Sequence, residues 1–190
     1  MTTKGLFFGS FNPIHNGHLE IANFFLRNKY LSEIIFIVTP QNPLKLKNEN
    51  LSFKKRLRAV EIATKNISKI RFSDVESKLT FPNYTSDTLK FLRAENPNID
   101  YVFIMGSDLL INFNKWKNYQ NILEHHNLFI YPRNNRNLIS KEFKTHKKIR
   151  FFEAPLMNIS STIIREKIKN KESFKHLVPI TAYDFIKKSI

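Results

Sequence analysis

The chain has 190 residues, of which 42% are hydrophobic and 13% aromatic, enough for one domain with a substantial core and unlike a disordered composition. It contains no cysteine, which excludes disulfides and thiolate metal sites. With 31 basic and 16 acidic side chains, the formal charge of +15 attracts polyanions: nucleic acid, an anionic membrane surface or phosphorylated small molecules. A general bias toward Lys, Asn, Ile and Phe produces the same charge, so charge alone does not choose among them. The apolar run in "MTTKGLFF" is too short for a signal peptide. No stretch approaches the roughly 20 apolar residues that span a bilayer, so a soluble, cytoplasmic protein is expected.

In chain order, Gly5 to Phe8 reads as a buried strand ending at Gly9-Ser10. His15 to Tyr30 reads as a helix with Leu19, Ala22, Phe25 and Leu26 on one face. "EIIFIVTP" is a strand stopped by Pro40, and "QNPLKLKNEN" a polar loop. Ser52 to Lys65 is helical, with Leu57, Val60, Ala63 and Thr64 facing inward. "KIRFSDVE" is the next strand, and "NYTSDTLKFLRAENP" begins a helix near Thr85 or Ser86 that stops before Pro97. "DYVFIMGSDLL" is a strand running into a turn and a helix. "NLFIYPR" and "KIRFFEAP" are two further strands. Between them Arg133 to Arg150 reads as a basic loop, a solvated surface segment or a cover over bound phosphates. "ISSTIIREKIKN" caps and begins a helix, and "TAYDFIKKSI" closes the chain with another.

The alternation of strands and helices implies an α/β fold: a Rossmann-like, doubly wound parallel sheet with helices on both faces. Residues 1–190 read as one domain, with a small C-terminal helical part from about residue 159 to 190. Such sheets bind ligands at the carboxyl ends of their strands. The informative residues follow those ends: Gly9, Ser10, Phe11, His15 and His18 after the first; Lys45 after the second; Gly106, Ser107 and Asp108 after "YVFIM"; and Ser160, Ser161, Thr162 and Arg165 after "IRFFEAP".

The chemistry available there is narrow. No cysteine can act as nucleophile, Ser161 has no local base, and carboxylates do not cluster at metal-ligand spacing. Two histidines, a lysine, an arginine, hydroxyls and helix N-termini neutralise and orient phosphates. Phosphoryl and nucleotidyl transfer needs little else. His15 and His18, three apart in a first helical turn, can aim ring N–H groups at one anion that the helix N-terminus also favours. Small residues at Gly9 and Ser10 let a nucleotide approach, and Gly17 leaves space on the wall. A metal held by the histidine pair would lack a third ligand nearby.

"GSFNPIHNGHL" resembles the T/HxGH signature of the nucleotidyltransferase superfamily, and "ISSTIIR" its ISSTxxR phosphate motif. "PQNPLK", "NYTSDTL", "IMGSDLL" followed by Trp116, and "LVPITAYDFI" are similar to segments of the bacterial nicotinate-nucleotide adenylyltransferase family, in its order and across nearly the whole chain. That resemblance implies adenylyl transfer from ATP to nicotinate mononucleotide, giving nicotinate adenine dinucleotide and pyrophosphate, with Mg²⁺ held mainly by the ATP phosphates. It implies His15, His18, Lys45 and Arg165 as the catalytic residues. It places Gly9, Ser10, Phe11, His15, His18, Gly106, Asp108, Ser161, Thr162 and Arg165 on ATP, with Asp108 on the ribose. Ser10, Lys45, Thr85, Trp116 and Tyr119 fall on nicotinate mononucleotide, where the indole suits a pyridinium ring. No residue is assigned as a direct metal ligand. The implied partners are these small molecules, with no specific nucleic acid and no membrane, and a homo-oligomer is compatible with the reading.

Two positions depart from the family pattern. Asn12 replaces an aspartate, and a side-chain turn role is expected to survive. Leu44 replaces a histidine. The nearest rival is pantetheine-phosphate adenylyltransferase, whose first signature histidine is usually threonine; His15, "NYTSDTL" and Trp116 favour a pyridine substrate. A basic nucleic-acid-binding module is the rival of another class. It should gather its cations on one face, whereas here they are spread through every segment.

Overall fold

The computed structural model describes residues 2–41, 51–134 and 136–190. Lys45 and Leu44 therefore lie outside the described residues. Among the described residues, six parallel strands form one sheet: β1 Thr2–Gly9, β2 Glu33–Val38, β3 Ile70–Ser73, β4 Ile99–Gly106, β5 Leu128–Tyr131 and β6 Ile149–Phe151. Their order is β3-β2-β1-β4-β5-β6, so the winding reverses between β1 and β4. The helices are α1 Asn16–Arg27, α2 Phe53–Thr64, α3 Thr85–Glu95, α4 Ser107–Leu110, α5 Tyr119–His125, α6 Lys141–Thr145, α7 Ser161–Lys169 and α8 Ile180–Ser189.

Alternation along the strands divides the core in two. Phe7, Phe36, Val38, Val102 and Ile104 point to the face covered by Ile21, Ala22 and Phe25 of α1, Ala59, Val60 and Ala63 of α2, Ile164 of α7, and Ala182 and Ile186 of α8. Leu6, Ile37, Phe103 and Met105 point to the other face, under Leu89 of α3, Leu110 of α4, Ile122 and Leu123 of α5, and Phe143 of α6. Strands buried on both faces read as continuous apolar runs, which is why β1, β2 and β4 stand out in the sequence. The expected doubly wound fold is the one observed.

Register brings the strand ends level. Gly9 pairs with Val38, Gly106 pairs with Tyr131, and Phe7 pairs with Ile104, two residues before each glycine. Ser10, Thr39, Ser107 and Pro132 therefore leave the sheet side by side at the reversal of winding, where open α/β sheets form a crevice.

Two expectations are corrected. "KIRFSDVE" is not one strand: β3 ends at Ser73, whose hydroxyl accepts from the Val75 N–H at 3.1 Å, and Val75–Lys78 forms a 3₁₀ turn. The segment from Arg133 to Arg150 is not simply a loop. It holds a 3₁₀ turn at Arg136–Leu138 and then α6, and Ile139 and Phe143 are buried. Phe143 meets the Phe113 ring at 5.8 Å and Tyr119 at 6.1 Å. Ile139, just before the Ser140 cap, and Phe143 on α6 fasten this basic segment to the core.

Candidate active site

The turn from Gly9 to His15 leads β1 into α1. Phe11 takes φ 47° and buries its ring against Phe7 and Phe36. A side chain at Gly9 would meet that ring at 3.0 Å. The smallness of Gly9 thus makes room for Phe11, and the Phe11 ring is core rather than an exposed ligand contact. His15 is the N-cap of α1 and only 2% exposed. Its ring stacks on His18 with centroids 3.6 Å apart and planes 22° apart. The space beside Gly17 is filled by the same ring, since a side chain there would meet His15 Nδ1 at 3.1 Å.

The stack has a defined proton arrangement. The His15 backbone N–H donates to His18 Nδ1 at 3.2 Å. That nitrogen must be the acceptor, so a neutral His18 carries its proton on Nε2 and presents a donor there. The edges of Phe11 and Phe7 support the His18 ring at 4.9 and 5.9 Å. His15 Nδ1 is buried without a partner. Desolvation, and then the Arg133 charge, lower the His15 pKa from its ordinary 6.5 to about 3. Desolvation, the neighbouring His15 and Arg133, in that order, hold His18 well below its ordinary value. At neutral pH the pair is two uncharged imidazoles beside a fixed cation.

The second half of the site is the start of α7. Ser160 caps it by accepting from the Ile163 N–H at 3.2 Å. Ser161 Oγ donates to the Pro13 carbonyl at 3.0 Å, and Arg165 donates to the Asn12 carbonyl at 2.9 Å and to Thr162 Oγ1 at 2.9 Å. These bonds join two motifs about 150 residues apart, Asn12 and Arg165 being separated by 153 positions. The first turns of α1 and α7 carry no acidic residue, so both helix starts keep their positive character. Asn12 does not act as expected. It is buried with Oδ1 unpartnered, and its backbone carbonyl makes the contact.

At the end of β4, Gly106 caps α4 and Asp108 lies exposed in its first turn. A side chain at Gly106 would collide with the Asp108 carboxylate and approach Arg133 Cγ at 3.4 Å. Farther along the same sheet edge, Thr85 is the first residue of α3, so its N–H has no intrahelical acceptor. Lys117, next to Trp116, reaches this helix start: its ammonium lies 3.0 Å from Asp87 and 4.4 Å above the Tyr84 ring. Trp116 is half-buried, tilted against Phe113 at 5.5 Å and Phe103 at 5.9 Å. Tyr119 sits edge-on to Phe113 at 5.9 Å, and this packing is what the structure gives it. Among the described residues, no three His, Cys, Asp or Glu side chains come together to hold a metal ion.

A family model for cytidylyltransferase-like proteins matches residues 6–167. A probable nicotinate-nucleotide adenylyltransferase of Flavobacterium psychrophilum is 45% identical over 185 residues, covering 97% of this chain and 96% of that protein. Another, from Bacteroides thetaiotaomicron, is 36% identical and covers 98% of this chain and 91% of its own. The chain belongs to the nicotinate-nucleotide adenylyltransferase family. Among solved structures, Plasmodium falciparum nicotinic acid mononucleotide adenylyltransferase complexed with NaAD superposes with a TM-score of 0.83 at 23% identity, covering 99% of this chain and 96% of that one. At that identity the likeness shows a shared fold.

For a nicotinate-nucleotide adenylyltransferase, the sequence reading missed several polar side chains around these loops. Arg133 follows β5. Its backbone N–H donates to Ser107 Oγ at 2.9 Å, and its guanidinium to the Met157 carbonyl at 3.1 Å. Arg56 of α2 is fully buried and gathers carbonyls from the loops that follow β1 and β2: Ser10 at 2.6 Å, Thr39 at 2.8 Å, Pro40 at 2.6 Å and Leu51 at 3.3 Å. Position supplied a signal for Arg133, because it lies just beyond a strand's carboxyl end. Nothing local distinguished Arg56 from the other basic residues. Among the described residues, no helix is long and apolar enough to cross a membrane.

Proposed function

We infer that this chain transfers the adenylyl group of ATP to nicotinate mononucleotide, forming nicotinate adenine dinucleotide and releasing pyrophosphate, a step in NAD biosynthesis. A phosphate oxygen of the mononucleotide attacks the α-phosphorus. The new P–O bond forms as the bond to the β-phosphate bridging oxygen breaks, and pyrophosphate leaves with the electron pair. No covalent enzyme intermediate is required, so the protein's part is positioning and charge stabilisation.

The observation that carries this reading is the stacked, uncharged histidine pair with its fixed His18 tautomer, tied through the Asn12–Pro13 carbonyls to the start of α7. His18 Nε2–H and His15 donate to phosphate oxygens around the α-phosphorus, and Arg133 adds a fixed positive charge. The free N–H groups of α7, with Ser161, Thr162 and Arg165, take the β- and γ-phosphates that become the leaving group. Lys45 reaches the phosphates from the loop after β2. Gly106 and Asp108 flank adenosine, and the backbones of Gly9, Ser10 and Phe11 line the approach. Thr85 N–H meets the nicotinate carboxylate, and Trp116 faces the pyridine ring, with Ser10 and Tyr119 on the same side.

Mg²⁺ enters as part of the ATP complex, held by phosphate oxygens and water. The donor set fits that arrangement: side chains that converge on the β1–α1 turn are neutral imidazoles, a hydroxyl and guanidinium groups, which bind phosphate rather than a bare cation. We place the enzyme in the cytoplasm, in keeping with a chain that has no cysteine.

The test is pyrophosphate release from MgATP with nicotinate mononucleotide, nicotinamide mononucleotide or phosphopantetheine offered in parallel. Strong preference for the first is expected. Comparable use of both pyridine nucleotides removes the carboxylate contact at Thr85. Turnover with phosphopantetheine alone overturns the reading.

A further inference from the structure

Among the described residues, Glu76 is the one acidic side chain buried from solvent, at 2% exposure. Burying a carboxyl costs free energy unless its hydrogen bonds compensate, so an apolar residue would serve if packing were its only task. Its contacts join separate pieces of the acceptor side of the crevice. Thr88 Oγ1, in the first turn of α3, donates to Glu76 Oε1 at 2.9 Å. The Glu76 backbone carbonyl accepts from Asn83 Nδ2 at 2.6 Å, in the turn that leads into Tyr84 and Thr85. Glu76 Oε2 is buried with no partner.

These bonds give the early break in β3 a purpose. The chain leaves the sheet at Ser73, and the 3₁₀ turn Val75–Lys78 carries Glu76 under the start of α3. Glu76 then ties this turn to the helix whose first N–H belongs to Thr85. Displacing α3 relative to the Val75–Lys78 turn would move Thr85 while leaving the His15–His18 stack on its own turn.

We propose that Glu76 is a positioning residue for the acceptor nucleotide, fixing the N-terminus of α3 against the Val75–Lys78 turn after β3 through Thr88 and Asn83. It touches neither substrate and acts through Thr85, so the inference rests on the function given above. Its signature is a split between substrates. Losing one buried hydrogen bond of this kind corresponds to roughly a 10-fold change.

The experiment measures KM for nicotinate mononucleotide and for ATP separately, with calorimetric binding of each nucleotide and a thermal melt for every variant. Thr88→Val removes the donor with little change of shape, Glu76→Ala removes the carboxyl, and Glu76→Gln keeps an acceptor oxygen. Thr88→Val and Glu76→Ala should raise KM and Kd for nicotinate mononucleotide about 10-fold, with the ATP values nearly unchanged, and Glu76→Gln should restore most of the loss. Thr88→Val carries the test if Glu76→Ala fails to fold. Equal rises for both substrates, or a lower melting temperature with both KM values unchanged, overturn the proposal. Absence of turnover and of nicotinate mononucleotide binding by the wild-type chain refutes the activity itself, and is read before any variant.

Discussion

Replacing Arg56 with methionine removes the link between the loops that follow β1 and β2. Its guanidinium makes three short bonds, to Ser10, Thr39 and Pro40 carbonyls at 2.6–2.8 Å, and a longer one to Leu51 at 3.3 Å. Bonds from a charged donor contribute roughly 1.5–3 kcal/mol each, so the three short ones total about 4.5–9 kcal/mol before compensation. Two effects offset part of that. The buried charge no longer has to be desolvated, and water can reach loop carbonyls once the guanidinium is gone. A net loss of about 3–5 kcal/mol remains, the usual cost of breaking a buried charged network. For a chain of this size each kcal/mol moves Tm by about 2–4 °C, so a fall of roughly 6–20 °C is expected. Arg56→Lys keeps the charge but not the fork, and should lose about half as much. Urea unfolding followed by circular dichroism, alongside kcat/KM for both substrates, measures the effect. A loss under about 1 kcal/mol with unchanged kinetics would mean that the loops are held by other contacts.

His18→Ala should lower kcat by about 10²–10³-fold with the fold intact, the cost of one donor aimed at developing charge; near-normal turnover removes His18 from the catalytic set. Arg133→Ala should lower kcat/KM and raise the pKa values of both histidines, because the removed cation is one cause of their depression; unchanged imidazole shifts in an NMR titration would contradict this. Stability should fall with acid. His15 has a folded pKa of about 3 against 6.5 unfolded, so the unfolded chain takes up the proton first. The full contribution is present above pH 6.5 and declines toward pH 3, by roughly 2 kcal/mol at pH 5, with His18 adding in the same direction. Glu76 opposes this, since its raised pKa favours the folded state below its ordinary 4.5 and the benefit is lost as pH rises through the folded value. Urea unfolding at several pH values on wild type and His15→Gln separates the terms, and a flat wild-type profile would refute the buried, neutral pair.

Local signals were strong wherever one segment meets one environment. β1, β2 and β4 are apolar runs ended by Gly9, Pro40 and Gly106, and buried parallel strands need nothing subtler. The HxGH and ISST segments concentrate their chemistry within a few residues, and both lie at helix starts as expected. Periodicity was weaker where a side chain answers to a distant partner. β3 looked longer than it is, because apolar Val75 follows soon after Ile70 and Phe72, whereas the chain has already left the sheet and Glu76 bonds Thr88. Ile139 and Phe143 were obscured by the lysines and arginines around them, although they dock in the core beside Phe113.

The sequence by itself determined the layered α/β fold, the family and the two phosphate-handling segments. Those properties depend on residue type and short spacing, which are local. Only the tertiary structure decided that His15 and His18 are stacked and uncharged, that Arg133 stands beside them, and that Arg56 braces the loops after β1 and β2 and Glu76 the start of α3. Each of these depends on which strand ends lie level and on how much water is excluded there. Such facts arise when β1 is placed between β2 and β4, and neighbouring residues along the chain do not encode them.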